Sequence, residues 1–251
     1  MPESPPESSA PGVPMAGPLY KDAKRRMMDA LSRGEWPPGD AIPAERRLSE
    51  RYGISIGTVR KAIDELVAEN ILIRQQGRGT FVASHNRDRM LFYFFHVVPL
   101  EGPKEYPDVG FLSFARGKAD RAVADALEIA VGESVFRIRN LLRLAGRPAI
   151  VDDLTLPVAR FASLTEKQFR TRPSTIYNLY QEAFGISVVR TRERLRAGVA
   201  DAETARLLDL APGAPVLSIR RLALGYNDVP VEYRVSQVDT SHFEYWSEIR
   251  R

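Results

Sequence analysis

The residues best placed to do chemistry in this chain are hydroxyls and bases gathered at the start of one helix. "GISIGTVRKAIDELVAEN" (53–70) sets Ser55, Gly57, Thr58, Arg60 and Lys61 around that start, while Val59, Ile63, Leu66 and Val67 form an apolar stripe. A serine can cap such a helix, its free N–H groups and dipole attract phosphate, and an arginine in the next turn can read guanine in a major groove. Further on, "QQGRG" holds Arg78 between Gly77 and Gly79, a narrow basic tip suited to a minor groove. These pieces describe a nucleic-acid surface; the alternative is an ordinary solvated helix face. Charge does little to choose between them, because Leu19–His85 carries 12 Lys+Arg against 9 Asp+Glu.

Composition removes several other chemistries. Among 251 residues there is no cysteine, which excludes disulfides, thiolate metal sites and cysteine nucleophiles. The three histidines, His85, His96 and His242, have no metal-ligand neighbours at useful spacing, so each is expected to be structural and neither metal nor cofactor is expected. No nucleophile–base–orienter set can be assembled, so an enzyme is not expected. The most apolar stretch, "MLFYFFHVVPL", falls short of a membrane span, and no membrane partner is expected. A net charge of +4 permits nucleic acid without demanding it.

The elements that would position these residues follow from periodicity. Residues 1–17, "MPESPPESSAPGVPMAG", read as a disordered tail without signal-peptide features. A first domain, 18–84, orders a helix from Leu19, a short helix in "PAERRLSERYG", the quoted helix, and a ribbon of Ile71–Arg74 and Thr80–Ala83. Two helices joined by a glycine turn with a following ribbon make a winged helix-turn-helix. A polar linker, 85–89, leads to a second domain, 90–243, with a short tail, 244–251. Strands are expected at 90–98, 133–144, 149–156, 188–199, 215–224 and 229–238, and helices at 116–127, 175–184 and 201–208. The fold class is therefore α+β around an antiparallel sheet. No internal repeat is visible.

The first domain closely resembles the winged-helix domain of the GntR family of bacterial transcription regulators, in Pro18-Leu19-Tyr20, Pro38-Gly39, Pro43-Ala44-Glu45-Arg46, Thr58-Val59-Arg60 and Gly77-Arg78-Gly79-Thr80-Phe81-Val82. The resemblance implies that Arg46 and Arg60 contact DNA and that the Gly77–Gly79 tip reaches a minor groove. It implies a bacterial cytoplasmic regulator, on the nucleoid when DNA-bound, and most often a repressor. Relatives commonly carry arginine where this chain has Ile56. Either Ile56 packs on a thymine methyl while Gly57 lets the helix approach the phosphates, or Ile56 packs against the first helix or the wing. A homodimer is expected, since each chain offers one recognition helix to a two-half-site operator on double-stranded DNA.

Residues 90 to about 243 resemble the UTRA effector-binding domain of HutC-type members, a chorismate-lyase-like fold, through "GRPAIVDDLTLP", "STIYNLYQEAFG", "ARLLDLAPGAPVLSIRR" and "VPVEYRVSQVD". Alternation puts Phe136, Ile138, Asn140, Leu142 and Leu144 on one strand face, and Asp152 with Ile150, Leu154 and Leu156. An acid among apolar neighbours needs a partner, either a protein group or a ligand. The resemblance places Asp152 and Glu232 where relatives hold the effector, with Arg234 on the face of Glu232. Ser174 and Thr175 precede a helix whose N-terminus can receive a ligand oxygen, and Ser113 and Phe114 complete the effector set. Where sugar-phosphate-sensing relatives use two arginines, this chain has Asn140 and Leu142, so a cationic, amine-bearing or neutral hydroxylated effector is expected rather than a sugar phosphate. The alternative for each acid is a structural salt bridge. Arg190, Arg192, Arg194 and Arg196 are expected on a solvent-exposed strand face or a subunit interface. The alternative function is a metabolite-converting enzyme of chorismate-lyase-like fold joined to a DNA-binding domain.

Overall fold

The computed structural model describes residues 18–247; the expected tail over 1–17 lies outside them. Three helices, α1 (Leu19–Ser32), α2 (Glu45–Tyr52) and α3 (Ile56–Ala68), precede a two-stranded wing of β1 (Leu72–Gln75) and β2 (Gly79–Val82). Gly53 stops α2 in the left-handed region, where a Cβ is costly, and the chain turns directly into α3. Ser55 caps α3 by accepting the N–H of Thr58 at 3.1 Å. Val59, Ala62, Ile63 and Leu66 bury one side of α3 against Ala23, Met27 and Leu48, and Ile71, Leu72 and Val82 bring the wing onto the same core. That burial fixes which side of α3 stays free.

The expected linker and strand at 85–98 take a different form. Asn86 caps a single turn, α4 (Arg87–Arg89), which runs into a π-helical turn at Met90–Phe94 before the short β3 (Val97–Pro99). The apolar run was compatible with helix or strand, and the cap decides for helix. A strand that alternation did not show, β4 (Asp108–Lys118), comes next, so α5 (Arg121–Leu127) starts later than the expected helix at 116. Then follow β5 (Ser134–Leu144), β6 (Arg147–Pro157), α6 (Glu166–Arg170), α7 (Ile176–Phe184), β7 (Arg190–Val199), α8 (Ala202–Leu208), β8 (Pro215–Leu224), β9 (Pro230–Asp239) and β10 (Phe243–Tyr245). β10 pairs with β3, so the expected C-terminal tail from 244 begins inside a strand.

Six strands form one antiparallel sheet in the order β4-β5-β6-β9-β8-β7. Its halves, β4-α5-β5-β6 and β7-α8-β8-β9, repeat the same unit, correcting the expectation of no internal repeat. Asp120 and Asp201 each cap the helix, Leu127 and Leu208 end it, and left-handed Glu128 and Asp209 follow. Val135 and Val216, then Ile138 and Ile219, hold matching buried places on the next strand. Phe136, Ile138, Leu154 and Leu156 of the sheet pack with Phe161, Phe169, Tyr177 and Tyr180 into the main core. The arginine comb of β7 lies on an edge strand, exposed, with Arg190 and Arg192 held to Asp228.

The two halves of the chain touch. Val189 and Tyr226 pack against the core of the first three helices, Asn227 Nδ2 donates to Asp29 Oδ1 at 2.9 Å, and Arg89 Nη2 donates to the Asn70 carbonyl at 2.6 Å. Among the described residues, no helix is long and apolar enough to cross a membrane.

Candidate functional site

At the free end of α3 the side chains are partly organised already. Ser55 Oγ is within 2.8 Å of Thr58 Oγ1, so both hydroxyls serve the cap. Ile56 is 42% exposed and stands outside the buried core of the first domain. A Cβ on Gly57 would meet only Ser55 Oγ, at 3.8 Å, so nothing within the chain demands glycine there. Arg60 donates from Nε and Nη2 to Glu45 Oε2 at 3.0 and 2.7 Å, which fixes its guanidinium between α2 and α3. Exposed Arg46 pairs with Glu50 at 3.1 Å, and Lys61 Nζ stands 4.1 Å from the ring centre of Tyr20. At the wing tip, Gly77 and Gly79 have φ of +72° and +117°, values that leave Arg78 on a turn too tight for other residues. Ser55, Ile56, Gly57, Arg60, Lys61 and the tip are all exposed and Thr58 is half-buried, so together they form a surface with basic, hydroxyl and N–H groups.

The second domain holds a small, partly open cavity of about 30 Å³ between the sheet and the start of α7. Val109, Asn140, Leu142, Asp152, Leu154 and Arg234 line it from the sheet, and Met90, Phe95, Tyr106, Pro107, Arg172 and Ile176 from the other side. β5 and β6 set Asn140 opposite Asp152, and β6 and β9 set Leu154 opposite Arg234. A neighbouring open cavity of about 410 Å³ shares Tyr106, Pro107, Val109 and Arg172 and adds Arg87, Asp108, Arg170 and Ser174.

The acids of this region are not free. Arg234 donates from Nη1 to Asp152 at 3.0 Å and from Nε to Glu232 at 2.9 Å, all three side chains being buried. Asp152 also accepts from Ser236, and Glu232 from the Tyr180 hydroxyl at 2.7 Å. Burial, with Glu232 alongside, pushes the Tyr180 hydroxyl well above its ordinary pKa, so it stays a donor. Glu232 therefore holds Arg234 from behind rather than lining the cavity. Thr175 spends its hydroxyl on capping α7, accepting from the Asn178 N–H at 3.1 Å. Ser113 and Phe114 are corrections: a β-bulge between Phe111 and Ser113 leaves Ser113 exposed, and Phe114 packs on Phe136 with ring centres 5.1 Å apart. Neither reaches the cavity.

What spacing missed is Arg172. It sits in "TRPST", on a loop just before the α7 cap, and no strand or helix period marks it. Its guanidinium lies 4.5 Å over Phe169 and donates to the Phe169 carbonyl, its Nε has no partner, and burial lowers its pKa. Asn140 Oδ1 and Arg234 Nη2 are likewise buried without partners.

α7 links the cavity to the first domain. Asn178 Nδ2 donates to the His85 carbonyl at 3.1 Å, and Gln181 Oε1 accepts the His85 N–H at 2.8 Å. The His85 ring packs on Phe94 and Tyr177, both with ring centres 5.7 Å away.

Comparison with known proteins gives two matches that divide the chain between them. Residues 19–82 match the bacterial regulatory proteins of the gntR family, and residues 105–244 match the UTRA domain. The chain is 31% identical over 218 residues to a "Probable fructoselysine utilization operon transcriptional repressor" of Shigella flexneri, covering 85% of this chain and 87% of the relative. It is 30% identical over 207 residues to the histidine utilization repressor of Pseudomonas putida, covering 81% of each. Among solved structures, the ligand-binding domain of a protein described as a GntR-family transcriptional regulator from Bordetella bronchiseptica superposes with a TM-score of 0.60 at 34% identity. It covers 63% of this chain and 99% of that one.

Proposed function

This chain belongs to the GntR family of bacterial transcription regulators, with a UTRA domain after its DNA-binding domain, and on that premise we propose how its residues divide the work. It is a DNA-binding transcription regulator whose hold on its operator is controlled by a small-molecule effector in the UTRA domain. The start of α3 enters the major groove, with Arg60 reading bases. Ser55, Ile56, Gly57, Thr58 and Lys61 contact the adjacent bases and phosphates, Arg46 contacts the backbone, and the Gly77–Arg78–Gly79 tip lies in a minor groove. The observation that carries this reading is the exposed, capped start of α3, where Ile56 stands outside the buried core and the space around Gly57 would admit a Cβ.

The effector enters the cavity formed by Asn140, Leu142, Asp152 and Arg234, with Ser174 at its outer opening. At about 30 Å³ the cavity holds roughly one water, so binding displaces Tyr106 and Pro107, which precede β4. The effector is not a sugar phosphate, because the strand positions at 140 and 142 offer an amide and a leucine. Relatives are named as repressors of fructoselysine utilization, histidine utilization and a mannosyl-D-glycerate transport/metabolism system. In the same way this protein represses genes for handling a small polar metabolite, as a homodimer on bacterial DNA in the cytoplasm. The test is selection of bound duplexes by purified protein, repeated with candidate metabolites. A recurring two-fold symmetric site, released by one metabolite, is the expected result; duplex binding without sequence preference would overturn it.

A further inference from the structure

We propose that the effector is a small carboxylate that also carries a hydrogen-bond donor, an amino acid or hydroxy acid in class, and that Arg172 takes its carboxylate. This rests on the reading of the cavity as the effector site.

The inference follows from what each lining group lacks. Asp152 and Glu232, the two acids that first suggest a cationic effector, are both committed to Arg234 and to a hydroxyl each. Arg172 is the reverse case, a half-buried cation with no carboxylate within 4 Å among the described residues and one nitrogen unsatisfied. Desolvation lowers its pKa, so the free protein carries a charge there that a bound anion would relieve. Nine-tenths buried Arg234 and Asn140 line the same cavity, and each keeps an unsatisfied atom, the donor Nη2 of Arg234 and the acceptor Oδ1 of Asn140. A carboxylate satisfies the two arginine nitrogens; an ammonium or hydroxyl on the same ligand satisfies Asn140. Of the other arginines of the outer cavity, Arg170 is paired with Glu166 and lies over Phe111, and Arg87 is exposed over Tyr106 at 5.0 Å.

Calorimetry on the intact protein with L-lysine, L-histidine and D-gluconate, each beside its carboxamide, and with glucose 6-phosphate and inorganic phosphate, tests this. At least one carboxylate should bind, and its amide should bind at least about tenfold more weakly, the span of one charge-assisted contact. Arg172→Gln should lose the same factor for the carboxylate but not for the amide, and Arg172→Lys, which keeps the charge, should recover part of it. Binding by none of the carboxylates, tighter binding of phosphates or amides, or full carboxylate affinity in Arg172→Gln would overturn the proposal. Leu142→Trp, which fills the cavity, separates this from failure of the site itself. If it abolishes binding of a phosphate or amide, the cavity is the effector site and only the ligand class is wrong. If it leaves all binding intact, the ligand sits elsewhere and both readings fall.

Discussion

Gly57 leaves room that the free protein does not fill, and at the second position of a helix that is a cost without a return inside the chain. Alanine is favoured over glycine in helices by up to about 1 kcal/mol, so Gly57→Ala should leave the melting temperature unchanged or slightly raised. If the helix backbone approaches phosphates here, the same variant should bind operator DNA more weakly by about 1 kcal/mol or more, measured by fluorescence anisotropy. Unchanged affinity would return Gly57 to a tolerated weak helix start. His85 makes a second residue-scale prediction. Burial, helped by nearby Arg89, lowers its pKa from 6.5 to about 3. Between those values the unfolded chain binds the proton and the folded protein does not, so stability is full above about pH 6.5 and falls as pH drops. The slope approaches about 1.4 kcal/mol per pH unit for this group alone. Urea unfolding at pH 7.5 and 5.5 should therefore show the wild type losing about 1 kcal/mol more than His85→Phe; equal losses would contradict the assignment.

α7 is the element that touches both the cavity and the junction between the domains. Its first turn borders the cavity, and from Asn178 and Gln181 it grips the backbone of His85 at the entrance to the second domain. Asn178→Ala is expected to keep effector affinity and effector-free operator affinity while weakening the release of DNA by effector. Release as complete as in the wild type would show that α7 does not carry the signal. At this scale the sequence was unevenly legible. α3 and the wing were clear because a cap, an apolar stripe and glycines at positive φ all agree. β4 was not, because Gly110, Gly117 and the bulge at Leu112 break its alternation. Register on β5 and β6 correctly put Asn140, Leu142 and Asp152 on one face, yet it could not say that Arg234, one strand further, neutralises the acids. Arg172 was invisible because its place is set by a loop. The internal repeat hid for a related reason: its halves share caps and buried apolar positions, whereas the places of Asn140 and Asp152 in the first half are taken by Arg221 and Arg234 in the second.

On the scale of the whole molecule, one recognition helix per chain and a direct contact between the halves frame the account. Tyr226 and Val189 of the second domain pack on the core of the first, and Asn227 donates to Asp29 of α1. Pairing of two chains would set two α3 helices on half-sites about 34–36 Å apart, or a multiple of that spacing, and sedimentation should show a dimer at micromolar concentration. The most direct measurement is anisotropy titration of the selected operator and a scrambled duplex with wild type and Arg60→Ala at one fixed salt concentration. Arg60 is exposed and, among the described residues, held only by Glu45, so the variant should fold normally. The account predicts that Arg60→Ala loses about 1–3 kcal/mol of operator affinity while binding the scrambled duplex nearly as before. Full operator affinity and full discrimination in Arg60→Ala would contradict it.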